Sequence, residues 1–144
     1  MALLILDEVL KEIQAHGEAA YPEEGAGLML GSVEGEQKRV TALVGLSNAR
    51  EDAARHNRYL VRPQDYLHAE QEAMRKGLDV LGVFHSHPDH PNRPSEFDRE
   101  WALPWLSYLI TSVQAGKAAG SRSWLLNEER THFEEEEIEV RSAS

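Results

Sequence analysis

The sequence predicts an α+β fold: a single domain with a largely antiparallel mixed sheet flanked by helices. Three observations carry that expectation. The 144 residues suit one compact domain, here taken as residues 1–144. Short apolar runs of strand character recur along the chain, and few amphipathic helical stretches interrupt them. Tight turns join several of these runs, so hairpins dominate over strand–helix–strand crossovers.

The elements follow in order. LLIL near the start reads as a strand. Asp7 is placed to cap a helix carrying Val9, Leu10 and Ile13 at helical spacing, ending before Tyr21-Pro22. GLMLGSV and RVTALVGLSN read as two strands joined at Glu34-Gly35-Glu36, a hairpin. The polar residues 49–58 read as a loop and RYLV as a short extended piece. Pro63 opens a second helix through Tyr66, Ala69 and Ala73, and Gly77 stops it. DVLGVF is a continuous apolar run, as a strand buried on both faces requires, and it leads into His85. A proline-rich loop follows, then a short helix around Ser95 to Leu103. LSYLITSV and RSWLLN are further strands, and IEV is a candidate last one. The acidic run at 134–137 and its flanks are expected to be a solvated edge strand or a fraying terminus, with residues 134–144 frayed in the second case.

Composition narrows the function classes. There is no cysteine, which removes thiol catalysis, thiolate zinc sites and disulfides. A chain this long buries roughly 68–70% of its unfolded surface, so a metal would serve function rather than folding. The formal charge of −10, from 25 acidic and 15 basic residues, argues against nucleic acid as a partner. No stretch approaches the ~18 apolar residues of a membrane span, and the opening run lacks the pattern of a secretory signal. The expectation is a cytoplasmic protein with no membrane association. Nothing in the sequence sets an oligomeric state.

The chemistry concentrates in HSHPDH, residues 85–90. In an extended chain residues i and i+2 share a face, so His85 and His87 can converge on one ion. Zinc takes histidine nitrogen and carboxylate oxygen readily. Two ordinary surface histidines fit the same letters. Ser95 and Asp98 form S-x-x-D, which also reads as a capping box at a helix start. A third reading, H-x-H-x-D-H, resembles the metallo-β-lactamase signature and would use His85, His87, Asp89 and His90. It also needs later histidine ligands, and after His90 only His132 remains. Asp89 and His90 are therefore read as loop residues. His16, His56, His68 and His132 lack spacing partners and read as surface or packing residues. Ser86 should face away from the histidine pair in a structural role, and Trp101 and Trp105 read as core.

Taken together, His85-x-His87, seven residues, then Ser95-x-x-Asp98 resembles the motif of the JAMM (MPN-plus) metalloproteases, in the JAB domain family. Upstream, YPEEGAGLMLG carries Pro22, Glu24 and Gly27, matching the P-x-E-x-x-G of prokaryotic members and selecting Glu24 over Glu23. The resemblance spans nearly the whole chain. It implies a cytidine-deaminase-like arrangement of helices on the sheet. It also implies Zn²⁺ on His85, His87 and Asp98, Glu24 as general acid/base, and Ser95 as oxyanion donor. Its members cleave the bond after the C-terminal glycine of ubiquitin-like proteins. The short chain is similar to the minimal prokaryotic branch of sulfur-carrier–cysteine peptidases, with no room for long insertions that read polyubiquitin. The implied partner is a ubiquitin-like sulfur carrier whose Gly-Gly tail lies extended in the cleft by strand addition. Two other classes stay open: a small-molecule, general or DNA-repair-linked amidase with the same metal site, and a non-catalytic MPN scaffold.

Overall fold

The computed structural model describes residues 2–46 and 61–142. The expected loop at 49–58, most of RYLV, and His56 lie outside the described residues. The elements are β1 (Ala2–Leu6), α1 (Asp7–Ala20), β2 (Ala26–Glu34), β3 (Gln37–Leu46), α2 (Pro63–Lys76), β4 (Asp79–Pro88), α3 (Glu96–Trp101), β5 (Ser107–Gln114), β6 (Lys117–Leu126) and β7 (Phe133–Arg141). The α+β class and each strand and helix expected within the described residues are present. β2 and β3 form the expected hairpin. Gly77 ends α2 in the left-handed region, at φ 68°, with its N–H on the carbonyls of Ala73 and Met74. A residue with a Cβ is strained there.

Two local expectations are corrected. Asp7 does not cap α1: Leu6 holds the N-cap position without a side-chain bond. Asp7 is the first helical residue and pairs with Lys11 one turn on, 3.0 Å away. The acidic end is not frayed through Arg141, because β7 pairs with both β6 and β1.

That pairing changes the sheet's shape. The strand order is β1-β3-β2-β4-β5-β6-β7, and the parallel β1–β7 ladder, from Ala2↔Glu137 to Leu6↔Arg141, closes it into a ring. An apolar strand with two open edges leaves backbone groups unpaired, and closure satisfies both. β1 thus has β3 on one side and β7 on the other. One core joins Val9 and Ile13 of α1 to Leu3, Ile5, Met29, Phe84 and Leu109. A second core, on the other face of the sheet, joins Ala69 of α2 to Leu28, Val83, Leu106 and Tyr108. β4 runs between the two and is buried from Leu81 to Pro88.

The alternation along β4 is broken once. Met29 pairs with Gly82 and Leu30 with Val80, so Leu81 is an extra residue, a β-bulge. The bulge shifts the parity of everything after it. Leu81 and Phe84 share the α1 core, while Val83 lies in the α2 core. His85 and His87 continue on the Val83 face.

The bulge has a partner that the sequence does not advertise. Lys38, 8% exposed, crosses from β3 to donate to the carbonyls of Leu81 (3.3 Å) and Trp105 (2.8 Å) and to Ser107 Oγ (2.9 Å). Burial pushes its ammonium below the ordinary lysine range, and the charge of Glu136 opposes that shift. Glu136 is itself buried and accepts from Ser123 Oγ at 2.7 Å. Within the acidic run Glu134, Glu135 and Glu137 are solvated as expected, but Glu136 faces the interior because strand alternation turns one side inward. Lys38→Met keeps most of the aliphatic stem and strands three acceptors. It is expected to cost at least about 3 kcal/mol, from three groups at roughly 1–3 kcal/mol each, read as a lowered urea midpoint.

Candidate metal centre

The site forms where β4 leaves the sheet. His85 and His87 point to one side, and their Nε2 atoms stand 3.1 Å apart. α3 brings the Asp98 carboxylate against both, with Oδ1 3.4 Å from His85 Nε2 and Oδ2 3.3 Å from His87 Nε2. Ligands on a tetrahedral zinc at bond lengths of 2.0–2.1 Å are separated by roughly 3.3–3.4 Å. The two imidazole nitrogens and the nearer Asp98 oxygen to each are spaced within a few tenths of an ångström of that edge, so the residues present fit a small cation. A Glu24 carboxylate oxygen also comes within 4.8 Å of both imidazoles. Two carboxylates, Asp98 and Glu24, therefore stand against the same pair of imidazoles.

The positions have local causes. Asp98 belongs to a capping box: Ser95 N donates to Asp98 Oδ2 at 2.7 Å, and Asp98 N donates to Ser95 Oγ at 3.1 Å. The capping and metal-facing readings of S-x-x-D hold together, on the same carboxylate. Ser95 Oγ accepts in this bond, so its proton can be donated elsewhere. His87 Nδ1 lies 2.8 Å from the Pro91 carbonyl, which can only accept. Nδ1 therefore carries a proton, so in the neutral ring the lone pair lies on Nε2, toward the cluster.

Glu24 is fixed by its neighbour. Gly25 N donates to Ser86 Oγ at 2.8 Å, and Ser86 N donates to the Gly25 carbonyl at 2.9 Å. Ser86 thus faces away from the histidines, as expected, and clips the start of β2 to β4. Ala26 then pairs with His85. A Cβ on Gly27 would lie 2.3 Å from the Phe84 ring and 2.6 Å from the Val44 carbonyl, so this position of the P-x-E-x-x-G pattern has no room for a side chain. Glu24 is buried, and Glu23 does not join the cluster.

The electrostatics favour a cation. Burial alone would push Asp98 up, yet His85, His87 and the Ser95 N–H hold its carboxyl well below the usual range. Burial pushes His85 down. It opposes the charge on His87 too, but there Asp98, the Pro91 carbonyl and Glu24 outweigh it and raise the imidazole. A carboxylate kept ionised against two buried imidazoles suits a divalent ion.

The remaining expectations sort as follows. Asp89 turns away: Oδ2 accepts from Tyr21 Oη at 2.6 Å and Oδ1 from Ala115 N at 2.8 Å. That disposes of the H-x-H-x-D-H reading. His90 lines the cleft with Glu24, His87, Arg93, Ser95 and three prolines, in a hollow of about 340 Å³. Trp101 and Trp105 are not core; they are 60% and 63% exposed. α3 is only six residues long and buries its Asp98 side, so Trp101 falls outward beside Phe97. Strand addition beside β4 has no open edge up to Ser86, since β2 and β5 cover both sides. Tyr21 and the Pro91 carbonyl were not legible, because neither contact leaves a spacing pattern. Among the described residues no helix is long and apolar enough to cross a membrane.

A ringed α+β fold thus carries a buried His/His/carboxylate cluster at the exit of β4, a candidate metal centre. Comparison with known proteins gives the family: residues 6–127 match the prokaryotic homologs of the JAB domain, and the chain belongs to that family. It is 30% identical over 118 residues to a probable TtuB-protein conjugate cleaving protease from Thermus thermophilus, covering 80% of this chain and 75% of that protein. A solution structure of a Desulfitobacterium hafniense protein superposes with TM-score 0.85 at 31% identity, over 97% of this chain and 93% of that one. A JAB1/MPN domain protein from Archaeoglobus fulgidus shares the fold, with TM-score 0.60 at 22% identity over 97% and 98% of the two chains.

Ser86→Ala removes the acceptor that holds Gly25 N. The buried N–H left behind is expected to cost about 1–3 kcal/mol, measured by urea unfolding of the metal-free protein.

Proposed function

We propose that this chain is a zinc-dependent peptidase that hydrolyses the bond following the C-terminal glycine of a ubiquitin-like sulfur carrier, releasing a small adduct such as cysteine. The observation that carries the reading is the tetrahedral spacing of His85, His87 and Asp98 beside a buried glutamate. Family membership and the conjugate-cleaving relative support a peptidase acting on ubiquitin-like conjugates. The acidic, cysteine-free composition fits work in the cytoplasm.

On this reading His85, His87 and Asp98 hold the ion. When bound, zinc supplies Lewis acidity, lowering the pKa of a coordinated water toward ~7 and polarising the carbonyl. Glu24 takes a proton from the water as its oxygen attacks the carbonyl carbon. The Ser95 hydroxyl donates to the oxygen as negative charge develops there. When the carbon–nitrogen bond breaks, Glu24 returns the proton to the leaving amine. The extended tail lies in the cleft mouth, where strand addition to β4 is left only the His87–Pro88 end on its β2 side.

The zinc content is expected to be about one per chain, the stoichiometry of a three-ligand catalytic site. Elemental analysis should find the metal lost in Asp98→Ala and retained in Asp89→Ala; the opposite pattern would overturn the ligand set.

Glu24→Gln should keep zinc and fold yet lose at least ~10²–10⁴-fold in turnover, the usual worth of general acid–base catalysis. If Glu23→Gln were the damaging change instead, the assignment of the base would fall.

With a carrier–cysteine adduct as substrate, the zinc-loaded protein should release cysteine and leave lysine-linked diubiquitin intact. Equal turnover of free dipeptides would make it a general small-peptide hydrolase. Zinc content without hydrolysis of any amide would favour the scaffold reading.

A further inference from the structure

The hollows on the two sides of Glu24 differ in chemistry. On one side a hollow of about 340 Å³ is lined by Gly25, Ala19, Ala20, Leu46, Glu23 and His16 among the described residues. Among the described residues its lining is mostly small, with the Glu23 and Glu24 carboxylates and no lysine or arginine. On the other side the cleft runs past Ser95 to Arg93 and continues into a groove of about 600 Å³ that also takes in Arg99 and Arg122. In a chain of net charge −10, this groove carries three arginines against two glutamates, Glu96 and Glu135.

The three arginines are not equivalent. Arg99 is tied to Glu96 at 2.7 Å and to the Arg130 carbonyl at 3.1 Å. Arg122 lies 3.9 Å from Glu135. Arg93 makes no hydrogen bond or ion pair among the described residues, and it lines both the cleft and the groove.

The loop that carries Arg93 is anchored on each of the preceding residues. The His90 carbonyl accepts from Ser112 Oγ at 2.7 Å. The Pro91 carbonyl meets His87 Nδ1 at 2.8 Å. The Asn92 carbonyl accepts from Trp124 Nε1 at 3.0 Å. Pro94 follows directly and restricts the backbone of Arg93 itself. A guanidinium on a fixed backbone, uncommitted and on the same wall as Ser95, is arranged to take a planar anion.

From this asymmetry we infer that Arg93 forms a carboxylate subsite for the leaving group. It would bind the free α-carboxylate of the amino acid released when the bond after the glycine tail is cut. The tail would then occupy the small-residue side, by Gly25, and the released amino acid the Arg93 side. This deepens the reading given under Proposed function and rests on it. It supplies a physical basis for preferring a short adduct: an isopeptide-linked lysine presents no carboxylate at this distance from the scissile bond.

Binding tests the subsite apart from catalysis. The probes are acetyl-Gly-Gly-alanine as the free acid and as the C-terminal amide. Each is titrated into zinc-loaded Glu24→Gln protein, with and without Arg93→Gln. The free acid should bind about 10–100-fold tighter than the amide, the range for a charge-assisted pair, and Arg93→Gln should erase that preference while leaving the amide's affinity unchanged. Arg93→Lys should restore only part of it, since a lysine cannot form the bidentate pair. No preference for the acid, or a preference that survives Arg93→Gln, overturns the subsite. If Arg93→Gln weakens acid and amide equally, Arg93 grips the tail instead, and the leaving-group assignment is wrong. The peptidase reading fails separately, if zinc-loaded wild-type protein hydrolyses no carrier adduct.

Discussion

The phase of strand β4 governs the cleft. One residue of slippage along a strand exchanges its two faces. The bulge at Leu81 sets that phase, so that Phe84 and Ser86 meet α1 while Val83, His85 and His87 face α3. Lys38 holds the bulge by taking the Leu81 carbonyl that the irregular ladder exposes. Its charge is kept in the interior by two further acceptors and by the field of Glu136. A polar contact deep in the fold therefore decides which way two imidazoles point several residues later.

From there the cluster is assembled by interactions that each serve two ends. Asp98 caps α3 and faces both histidines. Ser86 sits between the histidines in sequence, yet its hydroxyl reaches the opposite way to hold Gly25, and so Glu24. The Pro91 carbonyl both anchors its loop and selects the His87 tautomer. Such arrangements suit a site that must be stiff, because Asp98, His87 and Glu24 are positioned by bonds that do not depend on an ion. The same economy explains why Asp89, although one residue from the β4 exit, takes no part. Its carboxylate ties Tyr21 to the β5–β6 turn and so braces the two chain segments that carry Glu24 and the histidines.

The surroundings of the cluster are uneven, and the unevenness is built from backbone as much as from side chains. On the Glu24 side, glycine and two alanines leave space beside the Glu23 and Glu24 carboxylates. On the Ser95 side, three prolines wall the cleft and a groove carrying three arginines and two glutamates continues it. An extended substrate lying across the cluster would meet different chemistry at its two ends, and orientation would follow without an additional domain.

Much of this was legible in the residues themselves. Apolar patterning marks most of the described strands and the two long helices, and Gly77 and Pro63 mark the bounds of α2, since local backbone preferences act over a few residues. The spacing of His85, His87, Ser95 and Asp98 with the upstream Glu24 names the cluster, because i and i+2 on a strand and S-x-x-D at a helix start have fixed local geometry. What the tertiary structure decided is whatever depends on distant partners. Closure of the sheet needs β1 to find β7, and the burial of Lys38 and Glu136 follows from that ring. The outward turn of Trp101 follows from α3 having only one buried side, a fact of packing and not of composition. Arg93 owes its place beside the cleft to carbonyls held by His87 and Trp124. Backbone contacts of that kind leave no pattern of side chains, so only the folded chain places them.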